Sequence, residues 1–273
     1  MPFTADRVWE FRRLHESGCF IIPNPWDVGS ARLLVRLGFQ ALATTSSGFA
    51  WSLGRADNHA SFDEVIGHFT AISAAVGVPV NGDFEGGFAV EPAAVAANVA
   101  AAASTGVAGL SIEDSTSDPS APLFDFDHAV ERIHAARQAI DESGTGVMLT
   151  GRSEGFIVGR PDLRETIRRL AAYAEAGADC LYAPGLGTLA DIVAVVDAMG
   201  PRPVNVLVGS DFVTASQLAD AGVRRISVGG ALARAALTGL LDAAGEIAQR
   251  GTFSGLGRAR AFAEINAAFL GDE

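Results

Sequence analysis

Several carboxylates in this chain follow short apolar runs, at positions where the strands of a parallel sheet would end. The segment VPVNGDFEGGF, residues 78–88, places Asp83 and Glu85 beside glycines directly after such a run, and the segment GLSIED ends in Glu113 and Asp114. A strand end is rigid, and glycine lets a ligand approach the backbone closely, so these positions suit a metal or a reacting group. The pattern therefore predicts a site at which several carboxylates meet.

Carboxylates that converge on one point repel each other unless a cation lies among them. Oxygen ligands without paired histidines favour Mg2+, with Mn2+ as an alternative, over zinc. We therefore predict a metal site at Asp83, with Glu85 and Glu113 reaching the metal directly or through water. The run VMLTGR ends in Arg152, which we expect to face these acids; an ion pair with Glu113 or Glu154 is the structural alternative.

These side chains need a scaffold that brings strand ends together, and the rest of the chain predicts one. Apolar strand patterns occur at 19–23, 39–45, 78–83, 109–114, 147–152, 179–184, 203–208 and 224–230. Helical patterns alternate with them at 28–37, 62–76, 91–104, 127–142, 162–176, 188–199, 214–220 and 231–249. Eight such repeats predict an α/β fold of the (β/α)8 TIM-barrel type, whose active sites lie at the carboxyl ends of the strands.

An open doubly wound sheet is the alternative fold. Such a sheet usually has a glycine-rich phosphate turn after its first strand, and the segment PNPWDVGSA does not fit one. We predict a single domain over 1–273, with an extra N-terminal helix at 4–17 and a C-terminal helix at 255–269. The apolar faces of the helices at about 231–269 predict a homo-oligomer, because one subunit cannot easily bury both.

Composition excludes several classes of partner. The 273 residues carry a formal net charge of -12 and include no lysine, which argues against binding to nucleic acid or to an anionic membrane surface. The lack of lysine also excludes Schiff-base chemistry. Cys19 and Cys180 are expected to be buried free thiols, and most of the five histidines to lie on solvated helix faces. No signal-like or membrane-spanning segment is evident, so we expect a cytoplasmic protein.

A set of motifs gives the chain a family resemblance. TTSSGF, SLGRAD, VNGDFEGGF, GLSIED, GRSE and GADCLYAPG run in the order and at the spacing of the isocitrate lyase/phosphoenolpyruvate mutase superfamily, from about Pro23 to Gly230. The resemblance implies a barrel that binds Mg2+ and a 2-oxo or 2-hydroxy carboxylate, and that makes or breaks a C–C or C–P bond through an enolate. It also implies a tetramer formed by exchange of the eighth helix between subunits.

The resemblance also implies roles for individual residues. The family's metal motif D-x-D falls on Asn81 and Asp83, so its first aspartate is replaced here, and Glu85 could restore the lost charge. Asp57 corresponds to an acid of the family, although a turn aspartate is the structural alternative. In chain order, the expected site residues are Thr45, Ser46, Ser47 and Gly48 for the substrate carboxylate, Asp57 in catalysis, Asp83, Glu85 and Glu113 for the metal, Arg152 in catalysis and substrate binding, and Asn205 in substrate binding.

Two departures from the family limit the functional hypotheses. The stretch STSDPSAPLFDFDH lacks the cysteine loop of isocitrate and methylisocitrate lyases, and YAPG stands where those lyases have a glutamate. The gating loop of the phosphonate enzymes is not matched well either. The first hypothesis is a Mg2+-dependent lyase or decarboxylase for a small 2-oxo or 2-hydroxy (di)carboxylate such as oxaloacetate. The alternatives are a C–P bond enzyme and a weakly catalytic 2-oxo acid binding protein.

Overall fold

The centre of the molecule is one sheet of eight parallel strands. The computed structural model describes residues 4–116 and 118–270. The strands are β1 (Phe20–Ile22), β2 (Leu42–Ala43), β3 (Val80–Asp83), β4 (Gly109–Glu113), β5 (Met148–Arg152), β6 (Cys180–Tyr182), β7 (Val204–Leu207) and β8 (Arg225–Ser227). Their order is β1-β8-β7-β6-β5-β4-β3-β2, and every pairing is parallel. All eight predicted strands are confirmed, and each is shorter than predicted by up to three residues at an end.

The sheet curls into a nearly closed barrel. β1 and β2 form its two ends, and they meet where the Ala43 amide donates to the Pro23 carbonyl at 3.1 Å. The Asn24 side chain strengthens this join, since its amide donates to the Thr44 carbonyl and its oxygen accepts from the Gly229 amide, both at 2.9 Å. The (β/α)8 TIM-type prediction is therefore confirmed over the open sheet.

Helices cover the outside of the barrel and extend beyond it. They are α1 (Thr4–Glu16), α2 (Val28–Arg36), α3 (Ser46–Ser52), α4 (Phe62–Ala75), α5 (Pro92–Ala103), α6 (Phe126–Ser143), α7 (Leu163–Glu175), α8 (Leu189–Met199), α9 (Ala215–Asp220), α10 (Ala231–Arg250) and α11 (Phe262–Ala267). The capping box predicted at the start of α4 is present, because Ser61 accepts from the Glu64 amide and Glu64 accepts from the Ser61 amide. The predicted N-terminal helix is α1.

The amino-terminal end of the barrel is closed by α1. Phe11 is fully buried, and a Cβ added to Gly109 of β4 would lie 2.6 Å from the Phe11 ring. The ring therefore occupies the space that a side chain at Gly109 would need, and full burial of a phenylalanine stabilises the fold by about 1.5–3 kcal/mol. His15 follows one turn later and packs edge-on against Phe11. His15 and His68 are both buried, unlike the solvated histidines that we expected for most positions.

The C-terminal region differs from the single helix predicted at 255–269. It forms a 3-10 helix over Ser254–Arg258 and the short helix α11. Glycines 255 and 257 explain the difference, since glycine disfavours a continuous α-helix. The apolar residues of this region and of α10 are exposed on the single chain, Leu241 by 70% and Phe262 by 85%. Their burial in an oligomer remains a prediction.

Two further expectations concern the cysteines and membrane-spanning segments. Neither Cys19 nor Cys180 forms a disulfide; Cys180 is buried and Cys19 is half-buried. None of the helices described is both long enough and apolar enough to cross a bilayer.

Candidate active site

A cavity of about 270 Å3 opens at the carboxyl ends of the strands. It is lined by most of the residues that the sequence predicted for the site, namely Thr45, Ser46, Ser47, Asp57, Asp83, Arg152 and Asn205. Gly48, Glu85 and Glu113 are not among its lining residues. Its volume lies just below the usual range for drug-sized ligands, so it suits a small metabolite.

The loop after β2 forms one wall of the cavity. Thr45 is the N-cap of α3, where its hydroxyl accepts from the Gly48 amide at 3.4 Å and lies 3.1 Å from the Ser47 hydroxyl. A Cβ on Gly48 would lie 2.7 Å from the Thr45 side chain and 2.9 Å from that of Trp26, so only glycine fits. Gly48 thus sets the shape of the loop, while the Thr45 and Ser47 side chains face the cavity.

Helix α3 was missed by the sequence analysis, which predicted no helix between the strand at 39–45 and the helix at 62–76. The helix has only seven residues, SSGFAWS, and glycine and serine are poor helix formers. The Thr45 cap and the packing of Gly48 stabilise it, and neither effect is visible as a periodic pattern.

Asp83 ends β3 and connects the two walls of the cavity. Its Oδ2 accepts from the Ser46 amide at 3.0 Å, and its Oδ1 lies 3.1 Å from Arg152 Nη1. Its own amide donates to the Thr44 hydroxyl at 2.9 Å, which fixes the strand end beside the α3 loop. The structure therefore brings Asp83 and Arg152 together as the sequence predicted.

Arg152 ends β5 and is the cation among three carboxylates, Asp83, Glu113 and Glu154, which together form the acidic cluster. Its Nη1 lies 3.1 Å from both Asp83 Oδ1 and Glu113 Oε2, and its Nε pairs with Glu154. The guanidinium also lies over the Tyr182 ring, 5.3 Å from the centroid. Nη2 has no hydrogen-bond partner in the described part of the chain, so it is the nitrogen free to donate to a ligand. The predicted ion pairs and a ligand-binding role are therefore compatible.

The carboxylates around Arg152 are poorly stabilised in their ionised form. Burial, with the nearby Asp83 and Glu113 charges, raises the pKa of Glu85 to about 8. Burial also raises the pKa of Glu113 and of Glu154, in both cases against the Arg152 charge. Each shift shows that the ionised carboxylate is destabilised in this arrangement. An additional cation would relieve all three.

The acidic cluster fits a hard divalent cation in ligand type and in charge. Asp83 and Glu113 both face Arg152 Nη1 and offer carboxylate oxygens, the ligands that Mg2+ prefers. Within residues 4–116 and 118–270, however, no three His, Cys, Asp or Glu side chains are arranged to hold a metal ion together. Because Mg2+ usually takes only one or two protein carboxylates and keeps several waters, Asp83 and Glu113 are sufficient as direct or water-mediated ligands.

The loop that carries Glu85 is held in an uncommon backbone conformation. Glu85 and Phe88 have positive φ angles of 48° and 56°, which non-glycine residues rarely adopt. Arg132 of α6 holds this loop, since its Nη2 donates to the carbonyls of Gly86 and Ala89 and its Nη1 donates to that of Glu113. The Glu85 carbonyl in turn accepts from the Glu113 amide at 3.0 Å. These contacts keep Glu85 beside the acidic cluster.

Asp114 lies behind the site and supports it. Its Oδ1 accepts from the Glu154 amide at 2.7 Å, while its Oδ2 accepts from the Tyr173 hydroxyl at 2.6 Å and from Arg169 Nη1 at 3.1 Å. Asp114 is 2% exposed. Asp114 is therefore the buried link between β4, α7 and the loop that carries Glu154.

Several polar residues that line the cavity were missed by the sequence analysis, namely Asn24, Thr44, Ser111, Tyr182, Arg225 and Ser227. Arg225 lies at the start of β8, away from the strand's carboxyl end, and still lines the cavity. Strand residues that are two apart share a face, so the alternation of Arg225 and Ser227 with Ile226 was the signal that could have found it. Asp57 lines the cavity from the loop after α3, and partial desolvation raises its pKa.

Comparison with known proteins identifies the family. The sequence model of phosphoenolpyruvate phosphomutase matches residues 11–248, which is most of the chain. The chain belongs to the phosphoenolpyruvate phosphomutase family. This confirms the superfamily that the motifs suggested and the expectation that the chain is an enzyme of the lyase and mutase group.

Similar proteins show how far this family member has diverged. A protein of Burkholderia cenocepacia J2315, provisionally assigned as a lyase/mutase, shares 46% identity and a TM-score of 0.95 over 99% of this chain and 98% of its own. An uncharacterised protein of Mycobacterium tuberculosis (strain ATCC 25618 / H37Rv) is 34% identical over 80% of this chain and 81% of its own. A 2,3-dimethylmalate lyase of the PEP mutase/isocitrate lyase superfamily is 25% identical, with a TM-score of 0.85 over 98% of this chain and 95% of its own.

Proposed function

We propose that this phosphoenolpyruvate phosphomutase family member is a divalent-metal-dependent carbon–carbon lyase. Its substrate would be a small 2-oxo or 2-hydroxy carboxylic acid, with oxaloacetate as the first compound to test. The observation that carries the proposal is the acidic cluster, in which Arg152 Nη1 lies 3.1 Å from both Asp83 and Glu113. The likeness to 2,3-dimethylmalate lyase supports cleavage of a carbon–carbon bond.

The cluster supports this chemistry because, among the described residues, Arg152 alone forms ion pairs with Asp83, Glu113 and Glu154. Asp83 and Glu113 would hold Mg2+, or Mn2+ in its place, and the metal would supply Lewis acidity toward the 2-oxo group of the substrate. Glu85 adds negative charge to the same region but does not line the cavity, so we assign it to the surroundings of the metal.

The chain's own residues bind and orient the substrate. Arg152 Nη2 is free to donate to the substrate carboxylate, and the Thr45 and Ser47 hydroxyls face the same space from the α3 loop. In oxaloacetate the bond between C3 and C4 breaks, carbon dioxide leaves, and the electron pair passes to C3 and the 2-oxo oxygen. Transfer of a proton to C3 then gives pyruvate. Asp57 lines the cavity, and we propose that it contacts the substrate at C3 and C4, where the bond breaks.

The proposal includes an oligomer. The exposed apolar residues of α10 and α11 need a cover, and exchange of α10 between subunits of a tetramer would supply one. We propose no nucleic-acid or membrane partner, in line with the net charge of -12.

An assay of two substrates, with and without metal, tests the proposal. The protein is treated with a chelator, and turnover of oxaloacetate and of phosphonopyruvate is measured before and after addition of Mg2+ or Mn2+. Turnover of oxaloacetate only with metal supports the lyase. Preference for phosphonopyruvate would instead identify a C–P bond enzyme, and binding of both compounds without turnover would identify a 2-oxo acid binding protein.

A further inference from the structure

Arg225 is a buried arginine in the cavity wall, and its charge has no carboxylate partner in the part of the chain that the structure describes. The residue is 3% exposed. Its Nε donates to Asn205 Oδ1 at 2.9 Å, its Nη2 donates to the Thr150 hydroxyl at 3.1 Å, and its Nη1 lies 3.4 Å from His15 Nε2. His15 Nδ1 lies 2.7 Å from the Phe11 carbonyl, so Nδ1 carries the hydrogen and Nε2 is an acceptor. All three partners of the guanidinium are therefore uncharged.

His15 remains neutral under ordinary conditions. Burial, with the Arg225 charge second, lowers the pKa of His15 to about 3. Among residues 4–116 and 118–270, none of the ion pairs includes Arg225. Three of the five guanidinium N–H groups of Arg225 are used, which leaves one on Nη1 and one on Nη2.

Arg225 and Arg152 differ in their ion pairs, although both lie in the wall of the cavity. Both arginines line the same cavity, and Arg152 is paired with three carboxylates while Arg225 is paired with none. A buried charge without a countercharge is costly to the folded state. Arg132 is similarly buried and bonds only to backbone carbonyls, but it does not line the cavity, whereas Arg225 does. Where such a charge lines a cavity, a ligand of opposite charge can complete the pairing, because local costs of this kind are concentrated at functional sites.

The strand register places the backbones of the two arginines in one row, on strands that are three apart. Arg152 is register-paired with Tyr182, Tyr182 with Asn205, and Asn205 with Arg225. Three strand spacings separate the backbones of the arginines by roughly 14 Å along the barrel wall. Both long side chains reach into one cavity of about 270 Å3. The Arg225 guanidinium lies beside the Thr150 hydroxyl of β5, two residues before Arg152 and nearer the amino-terminal end of the barrel. A ligand in the cavity can therefore meet Arg152 at its outer end and Arg225 at its inner end.

We propose that Arg225 binds the second anionic group of the substrate, while Arg152 binds the first carboxylate. The preferred substrate is then a 2-oxo or 2-hydroxy dicarboxylate, and a monocarboxylate of the same length binds poorly. Asn205 holds the Arg225 guanidinium through Nε and so acts as its positioning residue. The inference rests on the proposed function, because it assigns the second end of the same substrate.

Two ligands with the same four-carbon skeleton test the inference. Malate and 2-hydroxybutyrate differ in a terminal carboxylate against a methyl group, and neither has the oxo group needed for decarboxylation. Their dissociation constants are measured by isothermal titration calorimetry on the full chain with Mg2+ present, together with that of pyruvate. We expect the parent protein to bind malate at least about tenfold more tightly than 2-hydroxybutyrate, because one charge-assisted contact is at stake.

The variant Arg225→Gln removes the charge from the cavity. Malate affinity should fall by roughly 10- to 100-fold, and the affinity for 2-hydroxybutyrate should change by less than about threefold. The matched control is Arg224→Gln, the neighbouring position, whose side chain instead donates to the Gly18 carbonyl. That control should leave both affinities unchanged.

The possible outcomes separate this inference from the proposed function. Equal affinity of the parent for malate and 2-hydroxybutyrate overturns the assignment of Arg225 and leaves the proposed function standing. The same conclusion follows if Arg225→Gln keeps the parent's preference for malate over 2-hydroxybutyrate. Failure of the parent to bind pyruvate and both hydroxy acids refutes the proposed function and this inference with it. If Arg225→Gln does not fold, the preference of the parent and that of Arg225→Lys decide the question.

Discussion

Replacement of Arg152 by lysine tests the acidic cluster most directly. A lysine ammonium can take the place of Nη1 between Asp83 and Glu113, but it has no counterpart of Nε to pair with Glu154. It also has no planar fork, so the free donor at Nη2 is lost. Arg152→Lys therefore keeps the charge and removes two directed contacts.

The size of the effect follows from the burial of those contacts. Glu154 is 3% exposed, and the Arg152 side chain is 17% exposed, so solvent screens neither group well. A hydrogen bond to a charged group contributes about 1.5–3 kcal/mol, and a donor lost from a water-excluded site costs about 2.7–4 kcal/mol in the transition state. We expect kcat/KM to fall by roughly 30- to 1000-fold, which corresponds to about 2–4 kcal/mol.

The assay follows pyruvate formation from oxaloacetate in the presence of Mg2+, with urea unfolding measured on the same samples. The control is Arg13→Lys, since Arg13 pairs with Glu10 on the exposed surface of α1 and such a pair contributes less than about 1 kcal/mol. If Arg152→Lys stays within about threefold of the parent in kcat/KM, the Arg152 ion pairs are purely structural and the site is misplaced.

Three further predictions address the metal, the assembly and acid stability. Asp83→Asn should abolish activation by Mg2+ while the fold persists. The control Asp197→Asn, at an exposed position of α8, should leave that activation unchanged. If calorimetry shows the same Mg2+ affinity for Asp83→Asn as for the parent, the assignment of Asp83 to the metal is wrong. Leu241→Glu should reduce the sedimentation coefficient, but Leu37→Glu, equally exposed at the end of α2, should not; a parent that sediments as a monomer at micromolar concentration would refute the oligomer. Because the pKa of His15 is lowered to about 3, the unfolded state binds more protons between about pH 6.5 and pH 3, and this group lowers stability by up to about 1.4 kcal/mol per pH unit as pH falls through that range. Urea midpoints at several pH values should show a smaller acid dependence in His15→Gln, and equal slopes would disprove this.

The fold was predictable because its signals are repetitive. Eight apolar runs alternate with eight helical patterns, and each strand found in the structure lies within a predicted run. The failures are local. Helix α3 is held by one threonine cap and one close glycine contact, and the C-terminal segment breaks at Gly255 and Gly257, so neither has a period that sequence analysis could detect.

The candidate site was predictable only in part, for a related reason. Thr45, Asp83 and Arg152 were found because each follows an apolar run at a strand end. Arg225 also faces inward, but it is the first residue of its strand. A prediction based on the carboxyl ends of the strands therefore does not include it. Because the strands of a barrel are staggered, the first residue of β8 is linked through the register to the last residue of β5.

The adjacent pair Glu113 and Asp114 shows what the sequence alone could not resolve. Successive strand residues face opposite sides, so only one of two neighbouring acids can reach the cavity side. Glu113 is register-paired with Arg152 and contacts its guanidinium, while Asp114 turns outward to bond Tyr173 of α7. An error of one residue in the register exchanges these two roles. The predicted end of β4, at 114, was one residue too long, so the types of residue at the site were predictable but the choice between adjacent acids required the structure.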